Sequence, residues 1–452
     1  MAEKNNRFPQ RLNLPTTRNI MKTIQIIIYN LLQWFIVYIS LPVLIPLAFC
    51  SHKRKQTLWK RLGFRTTSVS GQPFWIHALS VGEVLSAFPL IEAIHEKWPS
   101  QPIVFSSSTL TGYEMAQRMK PFVNELFYFP YDFLFSSQWM IHKINPCLFI
   151  LVESDIWPNF LTQLKKKHIP AILLNARLSR ESFRGYRLLK WFMEPVLQSF
   201  SVICTQSDIQ ASRFSSFGIE KSKIKVTGNV KYDQSFHQLA HAEVAELKKS
   251  LCIRQEVPVI IAGSTHSGEE SIFIDLYSKL RKSYADLKLI IAPRDPSRAN
   301  EIQLICRTHN FVSTFISQND PAEQSILIID QMGLLGKLYA VCDIAFIGGS
   351  LVPEGGHNPL EPAAMAKPII FGPDMHDFPE ISKLLVENQA AFQVETNMLF
   401  DIVSELLEKP VRARIMGQNG RAIVEKNRGA VQASLHYIED LCQRNYFFED
   451  EN

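Results

Sequence analysis

From residue 72 onward the chain alternates short apolar or β-branched runs with segments of helical periodicity. The runs "FWIHAL", "PIVFSSS", "ELFYFP", "CLFILVES", "AILLNA", "SVICTQ" and "IKVTGN" are separated by stretches such as "NFLTQLKKK" and "IQASRFSSFG", whose apolar positions recur every three or four residues. Continuous apolar strands between helices predict a parallel sheet covered on both faces. Around residues 230–257 the rhythm stops in a polar stretch with no strand pattern. It resumes through "VIIAGSTH", "LKLIIAPRDP", "ILIID", "IAFIGGS", "PIIFGPD" and "AFQVET", and the chain closes in helical material. A single βα barrel would not pause halfway for a helical linker. The pattern therefore predicts an α/β fold of two Rossmann-like, doubly wound domains facing a cleft, over 72–235 and 258–430. A linker spans 236–257, and a C-terminal helix and tail span 431–452. No short internal repeat is present, which excludes a solenoid.

The N-terminus breaks the pattern in another way. Residues 24–50, "IQIIIYNLLQWFIVYISLPVLIPLAFC", carry no charge and exceed the roughly 20 residues needed to cross a bilayer. They predict a membrane anchor helix preceded by a basic extension over 1–23. Pro42 and Pro46 are tolerated in such a segment, and the bulky Phe49 before Cys50 argues against lipoprotein processing. Residues 51–71 come next as a basic membrane-proximal segment. In "KRKQTLWKRLGF" basic residues interleave with Leu58, Trp59, Leu62 and Phe64, a composition suited to an anionic membrane surface; a merely solvated flank is the simpler alternative. The basic bias favours a cytoplasmic position for the domains on the C-terminal side of the anchor.

Composition narrows the classes. With 46% hydrophobic and 20% charged residues the chain can bury full cores without metal or disulfide support. A net charge of +5 does not indicate a nucleic-acid partner. The seven cysteines are scattered without a CxxC, which argues for a reducing compartment and against a zinc site. No G-x-G-x-x-G follows a strand, "GLLGK" lacks P-loop spacing, and no G-x-S-x-G elbow occurs.

Candidate chemistry gathers where strands hand over to helices, the places that line ligand crevices in α/β folds. Glu83 comes after "FWIHALSVG" at such a turn. An acid there is either a helix-capping group or a catalytic base. Glu153 and Asp155 flank Ser154; the triplet is a weak cation-binding pattern. In the second half, Gly348-Gly349-Ser350 ends a strand, and Gly355-Gly356-His357-Asn358 leads into a helix opened by Pro359 and bearing Glu361. Glycines admit close backbone approach and helix starts attract phosphate, while Glu361 is positioned for ribose hydroxyls; a tight turn with a capping acid is the plainer alternative. His266, before a helix opened by Glu269 and Glu270, and Arg294, just past a strand, converge on the same sheet edge. The arginine fork suits phosphate.

Taken together, "HALSVGEVLSAFPLI", "VESDIWPN", "NARLS", "VTGNVKYD", "GSTHSGEE", "APRDP", "FIGGSL" and "GGHNPLEPAA" occur in an order that resembles the lipid A Kdo transferases, 3-deoxy-D-manno-octulosonic acid transferases of glycosyltransferase family 30. The likeness runs from about residue 72 to 430. It implies the two-domain GT-B architecture with an N-terminal membrane helix, the acceptor on the N-terminal domain and the nucleotide on the C-terminal one. It implies transfer of Kdo from CMP-Kdo to a lipid A precursor (lipid IVA) at the cytoplasmic face of the inner membrane, with inversion and with neither metal nor cofactor. By position, Glu83 matches the catalytic base. Arg294 and the Gly348-Gly349-Ser350 turn would neutralise the CMP phosphate, and Asn358 and Glu361 would hold the CMP moiety. Ser80, Gly82, Glu153, Lys231 and His266 also match motif positions. Two departures stand out: Asp295 follows Arg294 where the family usually has His, and about twenty residues precede the anchor. The alternatives are another GT-B transferase acting on a lipid carrier, such as a MurG-like enzyme, and a sugar-nucleotide epimerase.

Overall fold

The computed structural model describes residues 17–50, 60–62, 69–153, 155–234, 239–318 and 326–449. Residues 1–16 of the extension expected over 1–23, and most of the basic segment over 51–71, lie outside them. The chain divides into two units, Met1–Gln234 with Gly429–Asn452, and Ser235–Arg428.

The first unit is built on seven strands: β1 (Phe74–Ala78), β2 (Ile103–Ser107), β3 (Glu125–Tyr128), β4 (Leu148–Val152), β5 (Ala171–Ala176), β6 (Val202–Thr205) and β7 (Ile224–Val226). They pair in the order β3-β2-β1-β4-β5-β6-β7, every ladder parallel. Strands β1 to β5 are buried at every position, as the continuous apolar runs require. In β1 the side chains alternate between two cores. Phe74, Ile76 and Ala78 pack with Val84, Leu90 and Ile94 of the helix Val81–Lys97; Trp75 packs on the other face with Phe127, Phe149 and Phe160.

The second unit repeats the plan with β8 (Val259–Thr265), β9 (Lys288–Pro293), β10 (Ser313–Phe315), β11 (Ile326–Ile328), β12 (Ile344–Ile347), β13 (Ile369–Phe371) and β14 (Ala391–Gln393). Their order is β10-β11-β9-β8-β12-β13-β14, again all parallel. In each sheet the winding reverses beside the first strand, between β1 and β4 and between β8 and β12. The carboxyl ends of strands at such switch points are where α/β folds hold ligands.

Two features are not written in the sequence pattern. The C-terminal helix Ala430–Glu449 belongs to the first unit. The Asp233 carboxylate accepts the N–H groups of Gly429 and Val431 at 2.7 and 2.6 Å, and Leu435 and Ile438 join the core behind β1. The second, the N-terminal helix Thr17–Cys50, departs from the expectation. Tyr29 donates to Asp132 Oδ2 at 3.1 Å, Asn30 and Asn159 exchange amide hydrogen bonds at 2.9 and 3.0 Å, and Gln33 donates to the Asp132 carbonyl at 3.2 Å. This polar stripe seats the helix on the first unit, while Leu31, Leu32, Phe35, Ile36 and Tyr38 stay exposed. Among the described residues no helix is long and apolar enough to cross a membrane. The membrane-crossing anchor expected over 24–50 thus finds no support there, because Tyr29, Asn30 and Gln33 spend their polar groups on the body of the protein.

Candidate active site

Each unit carries one cluster of chemically capable side chains at the carboxyl edge of its sheet. In the first, β1 ends at Ala78 and the helix Val81–Lys97 begins after Ser80. Glu83 occupies the third helical position and turns back: its Oε2 accepts the Leu79 N–H at 2.6 Å, and the Ser80 N–H also bonds to it. This is the carboxylate half of a capping box; the Ser80 hydroxyl does not return the bond. Gly82 is exposed with open space where a side chain would stand. Capping and chemistry therefore coexist in Glu83. Burial above all, then the neighbouring Glu153, pushes its carboxyl up to about 8, against the pull of the two N–H groups.

Glu153 sits at the switch point just past β4, with a left-handed backbone at φ 68°. Such conformations cost of order 1–3 kcal/mol in a non-glycine residue and persist where the surroundings enforce them. Here the Glu153 Oε1 accepts Ser86 Oγ at 3.0 Å and Asn175 Nδ2 at 3.3 Å and lies 3.7 Å from Lys231 Nζ. Asp155 diverges from it: its Oδ2 lies 2.9 Å from Nε2 of the fully buried His77. The triplet therefore splits toward two partners, and among the described residues no group of three His, Cys, Asp or Glu is arranged to hold a metal ion.

In the second unit, His266, Arg294, His357, Asn358 and Glu361 gather past the ends of β8, β9 and β12. His266 and His357 stack, with their Nε2 atoms 2.8 Å apart, so one nitrogen carries the shared hydrogen and the other accepts it. Burial, then the charges of Arg294 and His266, lowers His357 to about 4. Burial raises the Glu361 carboxyl to about 7, while Arg294 and an Asn358 hydrogen bond pull it down. Arg294 thus acts on both groups and is itself exposed. Asn358 Oδ1 accepts the Leu360 N–H at 3.1 Å, closing the start of the short helix Leu360–Ala364. Asp295 accepts the Ser297 N–H at 2.9 Å and caps its own turn.

The Gly348–Ser350 turn differs from the expectation of a phosphate site. The N–H groups of Gly349 and Ser350 do not await a phosphate: the buried Glu269 carboxylate takes them at 2.8 and 3.1 Å. Gly348 also has a packing reason, since a side chain there would stand 2.3 Å from the Ser264 carbonyl oxygen. Periodicity singles out neither this role of Glu269 nor His77. A histidine inside an apolar strand run is the one signal the sequence offers for the latter.

A family model described as 3-Deoxy-D-manno-octulosonic-acid transferase (kdotransferase) matches residues 56–234. A curated 3-deoxy-D-manno-octulosonic acid transferase of Haemophilus influenzae is 34% identical over 430 residues, covering 91% of this chain and 100% of the relative. The chain belongs to the 3-deoxy-D-manno-octulosonic acid (Kdo) transferase family. The Kdo transferase of Rickettsia typhi is 31% identical over 81% of this chain and 79% of its own. Among solved structures, UDP-GlcNAc 2-epimerase from Neisseria meningitidis bound to UDP-GlcNAc aligns with a TM-score of 0.55 at 14% identity, over 82% of this chain and 100% of that one. A glycosyltransferase from Rickettsia africae gives 0.55 at 13%, over 83% and 99%. These two attest the GT-B-like fold alone, which a transferase and an epimerase share. Kinship with the Kdo transferases makes the chain an enzyme of lipopolysaccharide biosynthesis.

Proposed function

We propose that this Kdo transferase moves Kdo from CMP-Kdo to a hydroxyl of a lipid A precursor, inverting the anomeric centre, with Glu83 as general base and no metal. The Glu83 carboxylate accepts the acceptor hydroxyl's proton as that oxygen bonds to the anomeric carbon. The bond from that carbon to the phosphate oxygen breaks, and CMP leaves with the electron pair. The observation that carries this reading is the Glu83 carboxyl, buried at the switch point and pushed to about 8. A base poised near working pH combines an adequate ionised fraction with real proton affinity. On the donor side, Arg294 and the His266–His357 pair would meet the phosphate, with Asn358 and Glu361 toward the ribose. Lys231, 3.7 Å from Glu153, would offset that carboxylate's charge beside the base.

The N-terminal helix would attach the enzyme to the cytoplasmic face of the inner membrane. Its exposed apolar face continues through the stacked Trp34, Phe133 and Phe135, and a face of this kind can lie in a bilayer surface without crossing it. An acceptor with acyl chains is best met there.

Incubation of the purified protein with lipid IVA and freshly generated CMP-Kdo, with the products read by mass spectrometry, tests donor, acceptor and product number together. Kdo-bearing lipid, suppressed by CMP and not by UDP, is expected. A UDP-dependent transfer, or epimerisation without an acceptor, would replace this reading.

A further inference from the structure

The helix Glu269–Leu280 opens with two adjacent carboxylates, Glu269 and Glu270, both with no exposed surface. Taking an ion out of water costs several kcal/mol unless fixed partners replace the water. The partners found for these two define what each holds. Glu269 Oε2 accepts the N–H groups of His266 at 2.9 Å and Gly349 at 2.8 Å, and Oε1 accepts those of Ser350 at 3.1 Å and Leu351 at 3.0 Å. The four donors come from two loops, one after β8 and one after β12. Glu270 takes the Arg298 guanidinium at 2.7 and 3.4 Å, and Arg298 closes the turn Pro296–Arg298 just beyond Arg294.

Three strand-end loops are thereby tied to one helical turn, and they carry His266, Arg294 and His357. The successive N–H groups of Gly349, Ser350 and Leu351 converge as they do in anion-binding nests, with Gly349 in the left-handed region at φ 69°. Here the protein supplies the anion itself. The filled nest presents Gly349 beneath the two histidine rings, where a side chain would stand 3.2 Å from His357 and 3.4 Å from His266.

We infer that Glu269 is a positioning residue for donor binding: as a built-in anion it fixes the loops after β8 and β12, so that His266, His357 and Arg294 meet the donor's phosphate already in place. Glu270, through Arg298, does the same more weakly for the loop after β9. The inference rests on reading the second unit as the CMP-Kdo site. Neither carboxylate touches substrate in this account.

The test compares full-length wild type, Glu269→Gln, Glu269→Asp and Arg298→Ala, by CMP calorimetry and by steady-state transfer. The glutamine amide must turn its NH2 toward one pair of N–H donors, either His266 and Gly349, which unties the loop after β8, or Ser350 and Leu351, which loosens the loop after β12. Glu269→Gln is expected to raise the CMP Kd and the CMP-Kdo KM roughly tenfold, while kcat at saturation falls by less than about threefold. Glu269→Asp keeps the charge with a shorter reach and should fall between wild type and Gln. Arg298→Ala, at a partly exposed position, should raise both constants about threefold. A merely structural role would lower the amount of folded enzyme without this split between KM and kcat. If Glu269→Gln does not fold, Glu269→Asp and Arg298→Ala carry the test. Folded Glu269 variants with wild-type CMP affinity, or with reduced kcat at unchanged KM, overturn the inference. Wild type that transfers Kdo without binding CMP through the second unit would sink the site reading instead.

Discussion

Glu83 and Glu269 occupy matching points in the two units. Each lies in the first turn of the helix that follows the strand beside the switch point, and each is buried, at 8% and 0% exposure. Their partners differ. Glu269 receives four N–H groups, three of them from the loop after β12. Among the described residues Glu83 receives N–H groups from its own turn alone, and it faces Glu153 and Asp155. A carboxylate saturated by fixed donors holds backbone in place. One left in a poorly solvated pocket beside like charges holds a proton and can exchange it. Position at a switch point therefore nominates an acid, and its hydrogen-bond partners decide its work.

Glu83→Gln keeps the shape and removes the base. It should lower kcat by about 10²–10⁴-fold while CMP affinity, read by calorimetry, stays within about twofold of wild type. Comparable turnover would return Glu83 to capping alone. Arg294→Ala should weaken CMP binding about tenfold, the scale of a lost charge-assisted contact, with an unchanged unfolding transition; unaltered CMP affinity would remove it from the phosphate site. The smallest effect concerns the N-terminal helix. Tyr29→Phe with Asn30→Ala deletes hydrogen bonds to Asp132 and Asn159, and should lower the stability of the first unit by about 1–3 kcal/mol in urea. CMP binding should be untouched. No loss of stability would mean that the polar stripe does not seat the helix.

The sheets are legible in the sequence because buried parallel strands write themselves as unbroken apolar runs, as "CLFILV" does for β4. Glu83, Arg294 and Glu361 are legible because strand-to-helix turns mark the ligand edge. Glu269 is visible only as a helix-opening acid, since three of its four partners lie some 80 residues away in the chain and no local pattern records them. The phosphate role expected of Gly349 and Ser350 fails for the same reason. Hydropathy along 24–50 averages over a helix and hides that Tyr29, Asn30 and Gln33 share one face. The return of Ala430–Glu449 to the first unit likewise depends on Asp233, a contact that periodicity cannot encode.

The pH dependence of kcat/KM for Kdo transfer, measured for wild type beside Glu153→Gln and Lys231→Met, tests the division of labour most directly. Glu83 must be ionised to act, so the wild-type rate should rise with pH through an apparent value near 8. Glu153→Gln removes a like charge and should move that limb to lower pH. Lys231→Met leaves the Glu153 charge less compensated and should move it higher. A limb that stays in place in both variants, or that survives in Glu83→Gln, would contradict the account.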